Sequence, residues 1–84
     1  MQRYTVLDVR ALPTGTKVCM RDEAGGYHVA RSLAELPWTG LQLQGSEAAP
    51  GFGLLTGIFT GQVFRFSFEE VDCSQAGALT ILHG

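Results

Sequence analysis

The sequence predicts an all-β fold: a small, strongly bent antiparallel sheet or barrel of about five to seven strands, formed by residues 1–84 as a single domain. Three observations predict it. Runs rich in β-branched and aromatic residues recur at intervals of about 8 to 12 residues, a spacing typical of all-β domains. Turns that contain glycine or proline separate these runs. No stretch has the periodicity of a helix of ordinary length.

The first third of the chain predicts three strands. Residues 3–9, RYTVLDV, are rich in β-branched and aromatic side chains, and LPTG then supplies a turn. Residues 16–21, TKVCMR, alternate, which predicts a second strand with a water-exposed face that carries Cys19. Residues 27–31, YHVAR, predict a third strand, which forms a hairpin with the second across the DEAGG loop.

One short helical signal lies in the middle of the chain. In SLAEL, residues 32–36, Ser32 and Glu35 have the S-x-x-E spacing of a capping box, so we expect one helical turn that a proline then ends. Residues 38–44, WTGLQLQ, alternate and predict another strand. Residues 77–83, GALTILH, also alternate and predict the last strand.

The stretch GFGLLTGIFTGQVFRFSFEE, residues 51–70, predicts the central hairpin. A two-residue turn at residues 60–61 places Gly53 directly opposite Phe68. A cross-strand ring can then cover the bare glycine backbone, an arrangement known as aromatic rescue. No Lys-Ser or Lys-Thr and no helix follow the glycines, so a phosphate-binding loop is not indicated.

The two faces of this hairpin have different roles. One face carries Leu55, Phe64 and Phe66, which we expect to form the densest part of the core. The other face is unexpectedly apolar and also carries charges; its residues are Phe52, Leu54, Ile58, Val63, Arg65 and Glu69. Either another strand of a rolled barrel covers this second face, or a second subunit or partner does.

Composition narrows the function classes. The net charge of −2 and the scattered basic residues argue against a dedicated nucleic-acid binder, which usually has a basic stripe. Charged residues make up only 17% of the chain, which favours self-association or a protein partner. The N-terminal MQRYTVLDVR lacks the apolar core of a signal peptide, and residues 52–64 are too short to cross a bilayer as a helix. We therefore expect a cytoplasmic protein with no membrane contact.

Residue types that could carry chemistry are present but scattered. Cys19, His28, Cys73 and His83 match zinc in number, but structural zinc takes ligands in close pairs, so we predict two unrelated surface histidines and no metal or other cofactor. Asp72, Cys73 and Ser74 are adjacent, and neighbouring strand residues point to opposite faces. We predict no catalytic residue.

Three functions are compatible with this pattern. The first is a small non-catalytic protein-interaction or regulatory module, self-associating through the Phe52/Leu54/Ile58/Val63 face or around Trp38, with Tyr27, Arg31 and Arg65 as further candidates. Trp38 could instead be a core plug. The second is a nucleic-acid binder that uses Arg21, Arg31 and Arg65 on phosphates and Tyr27 or Trp38 on bases. The third is a small enzyme or ligand-binding protein with a site at a subunit junction. Barrels of SH3 or Sm-like size mostly bind other molecules, which favours the first, although fold alone does not fix function.

Overall fold

Six antiparallel strands close into a barrel, and one helix follows them. The computed structural model describes residues 1–83, without the side chain of His83. The elements are β1 Gln2–Leu12, β2 Gly15–Asp22, β3 Tyr27–Ser32, β4 Gln42–Gly45, β5 Gly51–Gly57, β6 Val63–Cys73 and α1 Gln75–His83. The strand order around the barrel is β1-β2-β3-β6-β5-β4, with β1 pairing to β4. The predicted all-β class is confirmed. Within residues 1–83, no helix has the length and apolar character needed to cross a membrane.

Strand β1 closes the barrel because it pairs with β2 on one side and with β4 on the other. Val6 pairs with Met20 and Asp8 pairs with Cys19, so Leu7 is an extra residue in the ladder. Such a bulge bends its strand and increases the local twist, which a small closed barrel requires. Tyr4 and Val6, which precede the bulge, point into the core and are each 1% exposed.

Three aromatic rings from β6 lie side by side in the barrel interior. Phe64 and Phe66 are fully buried and Phe68 is 4% exposed. The Phe64 and Phe66 rings stack with centroids 6.5 Å apart, and the Phe66 and Phe68 centroids lie 6.0 Å apart. The remaining buried members of this cluster come from every other strand and the approach to β4: Tyr4, Val6, Val18, Met20, Ala30, Leu41, Leu43 and Leu55.

The β5–β6 hairpin forms, but its register differs from the predicted one. Gly53 pairs with Phe66, not with Phe68, and residues 58–62 connect the strands where a two-residue turn at residues 60–61 was expected. The Gly57 N–H donates to the Gln62 carbonyl at 2.8 Å, and the Gly61 N–H donates to the Gly57 carbonyl at 3.0 Å. The difference in register is two residues, and side chains alternate with a period of two, so every side chain keeps its predicted face.

The predicted cover of a glycine by a ring is present despite the change in register. Phe68 lies diagonally across from Gly53, and a Cβ added to Gly53 would lie 2.8 Å from Phe68 Cε2. A Cβ added to Gly57 would meet Phe64 Cε1 at 3.7 Å. Diagonal neighbours on one face are within reach of aromatic side chains, which explains the contact.

The helical turn predicted at residues 32–36 is wrong: the chain bends there and continues beside β6. The Leu33 N–H donates to the Arg65 carbonyl at 3.0 Å, and Glu35 Oε1 accepts from the Arg65 N–H at 2.7 Å. The Ser32 hydroxyl donates to the Glu35 carbonyl. The capping-box side chains are therefore used to bind a strand and a bend, and none of their bonds is the one that caps a helix.

The strand predicted at residues 77–83 is also wrong, because the end of the chain forms α1. Ser74 caps this helix, since its hydroxyl accepts from the Gly77 N–H at 3.1 Å. Ala78 and Leu82, four residues apart on one side of the helix, are buried against the outside of the barrel. Cys19, predicted to face water from β2, is 1% exposed because α1 covers it.

A Gly53→Ala substitution tests the packing of the glycine against the ring. The added methyl group would overlap the Phe68 ring, so we expect a loss of about 1–3 kcal/mol in the free energy of unfolding, measured by urea titration. Phe68→Leu removes the overlapping ring atom and is the matched partner for a double-mutant cycle. The double variant should lose less than the sum of the two single losses. Strictly additive losses of free energy would show that residue 53 and the Phe68 ring are not in contact.

Candidate functional site

Most of the predicted binding residues meet on one outer surface of the barrel. Phe52 and Leu54 point outward from β5, and Val63 and Arg65 point outward from β6. Arg31 on β3 pairs with Ser67, which pairs in turn with Phe52. Ile58 is half-buried in the loop after β5. Trp38 and Tyr27 lie elsewhere.

The loop after β3 extends this surface. Leu33 follows the edge of β6, and its N–H donates to the Arg65 carbonyl. Arg65 also pairs with Leu54, so these three residues form one row across three neighbouring segments. The exposed fractions are 66% for Phe52, 52% for Leu54, 49% for Leu33 and 45% for Val63. We call Leu33, Phe52, Leu54 and Val63, with Arg65 among them, the apolar outer surface. Burial of this hairpin face inside the barrel, one of the two alternatives, is therefore contradicted.

Leu54 stands between two hollows in the barrel wall. One hollow, of about 310 Å³, is bounded by Ala49, Phe52, Leu54 and the edge of Phe68. The other, of about 460 Å³, lies on the β4 side between Met1, Gln44, Leu54 and Thr56. The first hollow is mainly apolar, and the second is lined by both polar and apolar side chains. The exposed apolar ridge beside them gives the surface both a projecting and a receiving shape.

The charged groups around the apolar outer surface are paired. Arg65 Nε lies 3.9 Å from Glu35 Oε2, and Arg31 Nη2 lies 3.6 Å from Glu69 Oε2. Lys17 Nζ also approaches Glu69, at 3.5 Å. The hydrogen bond from the Arg65 N–H lowers the pKa of Glu35, so that carboxylate keeps its negative charge beside the arginine. The surface is thus apolar and close to electrically neutral.

Trp38 is neither a core plug nor a free anchor. Its ring packs edge-on against Phe64, with centroids 6.0 Å apart, and its side chain remains 48% exposed at one end of the barrel. Tyr27 pairs with Arg21 and Cys73 and packs beside α1. The structure therefore does not bring Tyr27 to the apolar outer surface.

A polar cluster missed at the sequence level lies at another point of the barrel. His28, expected on the surface, is 1% exposed, and Asp22 is 5% exposed. His28 Nε2 lies 2.8 Å from Asp22 Oδ2, and the Asp72 N–H donates to His28 Nδ1 at 3.1 Å. The second contact leaves the ring hydrogen on Nε2, where it is donated to Asp22. The predicted β2–β3 hairpin contained a signal for this, because it pairs His28 with the inward-facing Met20.

This cluster has the composition of a metal site, but the donor atoms of His28 and Asp22 already have partners. One ligand atom each from Asp22, His28 and Asp72 lies within 4.8 Å of the others. Both ring nitrogens of His28 are occupied, and Asp22 Oδ1 accepts from the Ala24 and Gly26 N–H groups at 2.9 Å each. In the described part of the chain, every buried side-chain polar atom has a hydrogen-bond partner. The cluster therefore joins the β2–β3 turn to the end of β6, and its histidine offers no free nitrogen to a substrate.

Of the residues considered for zinc, Cys19 and Cys73 lie in the same cluster beside α1, and His28 lies apart from them. Cys19 faces outward under α1, whereas His28 faces inward beside Tyr4 and Phe68. The His83 side chain lies outside the described residues. Burial raises the pKa values of both Cys19 and Cys73, so neither thiol is activated as a nucleophile.

Comparisons with family models, with curated proteins and with solved structures give no match for this chain. The functional argument therefore rests on the geometry of its own residues.

The Asp22 carboxylate should make the fold sensitive to acid. Burial alone would raise its pKa, but hydrogen bonds from His28, Gly26 and Ala24 outweigh burial, and the pKa is lowered below its ordinary value of 3.8. A group with a lowered folded-state pKa stabilises the fold above its unfolded pKa, and that contribution is lost as the pH falls through the folded value. Asp22→Asn should cost about 1–3 kcal/mol near neutral pH. This difference from the native protein should shrink below about pH 4.

Urea unfolding across this pH range measures the effect. Glu23→Gln, at an exposed carboxylate in the same turn, is the matched control and should leave the pH dependence unchanged. A constant difference between the native protein and Asp22→Asn at every pH would contradict the assignment.

Proposed function

We propose that this chain is a small non-catalytic protein-interaction module that self-associates through the apolar outer surface. The single observation that carries the proposal is the patch of exposed apolar side chains on β5, β6 and the loop after β3, in which Arg65 lies between Leu33 and Leu54. Contiguous exposed apolar surface on a small domain is typical of a binding site.

Shape favours a second copy of this chain as the partner. The ridge of Phe52 and Leu54 lies beside hollows of about 310 and 460 Å³. In a two-fold arrangement the same patch occurs on both subunits, so a ridge on one copy can enter a hollow on the other and receive the equivalent ridge in return. Burial of a leucine or phenylalanine side chain contributes about 1.5–3 kcal/mol, and such an interface buries several.

Electrostatics favour a protein partner over a nucleic acid. Two of the arginines that a nucleic-acid binder would use, Arg31 and Arg65, have Glu69 and Glu35 beside them. Phosphate contacts would have to compete with these carboxylates, and the net charge of −2 opposes a polyanion as a whole. A neutral apolar surface suits a neutral apolar partner.

The proposal includes a regulatory or scaffolding role in the cytoplasm. The two cysteines are unpaired, as is usual in a reducing compartment. His28, the buried histidine with a carboxylate partner, has both ring nitrogens engaged in holding strands together, so the geometry supports binding better than catalysis.

A Leu54→Asp substitution tests the surface. A buried, unpaired carboxylate is strongly unfavourable, so the variant should be a monomer at concentrations of tens of micromolar, where the native chain should have at least twice the monomer mass by light scattering. Leu54 is 52% exposed in the single chain, so the variant should fold. Its thermal midpoint should be close to that of the native chain when both are measured as monomers.

Leu79→Asp is the matched control, because Leu79 is an exposed leucine on α1, at 40% exposure, and lies off the apolar outer surface. It should keep the native mass. A native chain that is monomeric throughout this concentration range would refute self-association, and a Leu54→Asp variant with the native mass would exclude this surface as the interface.

A further inference from the structure

The C-terminal helix covers an apolar patch that the barrel does not need for its own core. The interior cluster is formed by strand residues and by Leu41, and none of its buried members comes from α1. A second cluster lies on the outside of the barrel, where Cys19 and Val29 meet Ala78 and Leu82 of the helix, with Tyr27, Cys73 and Ile81 at its margin. The barrel is closed without the helix.

Few interactions hold α1 in place. Its buried side chains are Ala78 and Leu82, and Arg10 Nη1 donates to the Leu82 carbonyl at 3.0 Å near the helix end. A helix of nine residues is marginal in water without tertiary contacts. Its last seven residues, GALTILH, also alternate as a strand does, so the local preference for helix is weak.

The connection to the barrel is short and has an unusual backbone. Ser74 alone separates the end of β6 from the start of α1. Two residues earlier, Asp72 has a φ of 54°, which is uncommon for a residue other than glycine. His28 accepts the Asp72 N–H, so the barrel end of this connection stays fixed whether or not the helix is docked.

We propose that α1 is a detachable cover, which opens from the intact barrel as a unit and uncovers a second apolar surface formed by Cys19, Tyr27 and Val29. Elements with few buried apolar contacts open locally at a free energy below that of global unfolding. The buried thiol of Cys19 provides a reporter, because at 1% exposure it can react only after α1 opens or the whole barrel unfolds, and variants of the helix and of the core separate these two routes.

The experiment uses the full chain with Cys73→Ser, so that Cys19 is its single thiol. N-ethylmaleimide reacts with that thiol: the sulfur bonds to one carbon of the reagent's double bond, and the hydrogen is taken up by the other carbon. Mass spectrometry follows the labelling rate under native conditions. Leu82→Ala removes a helix contact and should raise the labelling rate about 30-fold or more. This factor corresponds to the free energy that is typically lost when a buried leucine is replaced by alanine. The labelled protein should retain native Trp38 fluorescence, because Trp38 packs on the barrel residue Phe64.

Phe66→Leu is the discriminating variant, because it weakens the barrel core without touching the α1 cluster. If α1 opens independently, this variant should label within about twofold of its parent, since global unfolding is not the route to Cys19. If Phe66→Leu does not fold, Leu43→Val serves the same purpose. Equal acceleration by the helix and barrel variants, or acceleration by neither, would overturn the proposal. The readout is a labelling rate and not a solution mass, so its failure is separate from failure of the proposed self-association.

Discussion

The inward packing of three phenylalanines from β6 is the constraint on which this structure depends. Phe64, Phe66 and Phe68 are three of the eleven buried residues of the interior cluster, and burial of each ring contributes about 1.5–3 kcal/mol. That is a large share of the net stability of a chain of 84 residues. Rings of this size fit because β5 offers glycine beneath them: Gly53 lies under Phe68 and Gly57 lies beside Phe64. Any larger residue at Gly53 would have to displace the Phe68 ring, which is 4% exposed.

The apolar outer surface follows from the same alternation. A strand that sends residues 64, 66 and 68 inward must send residues 63, 65 and 67 outward, and β5 obeys the same rule. In a sheet with one wet face these outward positions are usually polar. Here Phe52, Leu54 and Val63 occupy them, and the nearby arginines have carboxylates beside them. Packing explains which positions face out. It does not explain why they are apolar, and the proposed self-association accounts for that.

Local periodicity was enough to predict the strands, the hairpins and the direction of the core side chains. It could not fix the register of β5 on β6, because connections that differ in register by two residues leave the same alternation on each strand. It also could not separate helix from strand in GALTILH, although Ser74 as a cap and the Ala78–Leu82 spacing were present as helix signals. Ser32 and Glu35 matched a helix cap in spacing, yet their partners are a local carbonyl and the Arg65 N–H, which is 30 residues from Glu35.

The His28 cluster shows most clearly that local sequence patterns do not predict contacts between distant residues. Its ring nitrogens bind Asp22, six residues away, and the Asp72 N–H, 44 residues away. The nearer partner lies in the same hairpin and could be inferred from pairing with Met20. The farther one exists only once β6 lies beside β3, which no local pattern encodes. Of the predicted binding residues, those on β5 and β6 meet because one hairpin carries them, whereas Tyr27 and the separate candidate region around Trp38 lie elsewhere on the barrel.

The most direct test of the glycine-and-ring constraint is a nuclear Overhauser measurement on the labelled native chain. The account predicts strong contacts between the Gly53 α-protons and the Phe68 ring, together with cross-strand backbone contacts between Gly53 and Phe66. Backbone contacts that place Gly53 opposite an odd-numbered residue of β6, or a Phe68 ring with the chemical shifts of a solvent-exposed side chain, would contradict it. Either result would mean that the inward and outward faces of this hairpin are assigned wrongly, and the core and the apolar outer surface both depend on that assignment.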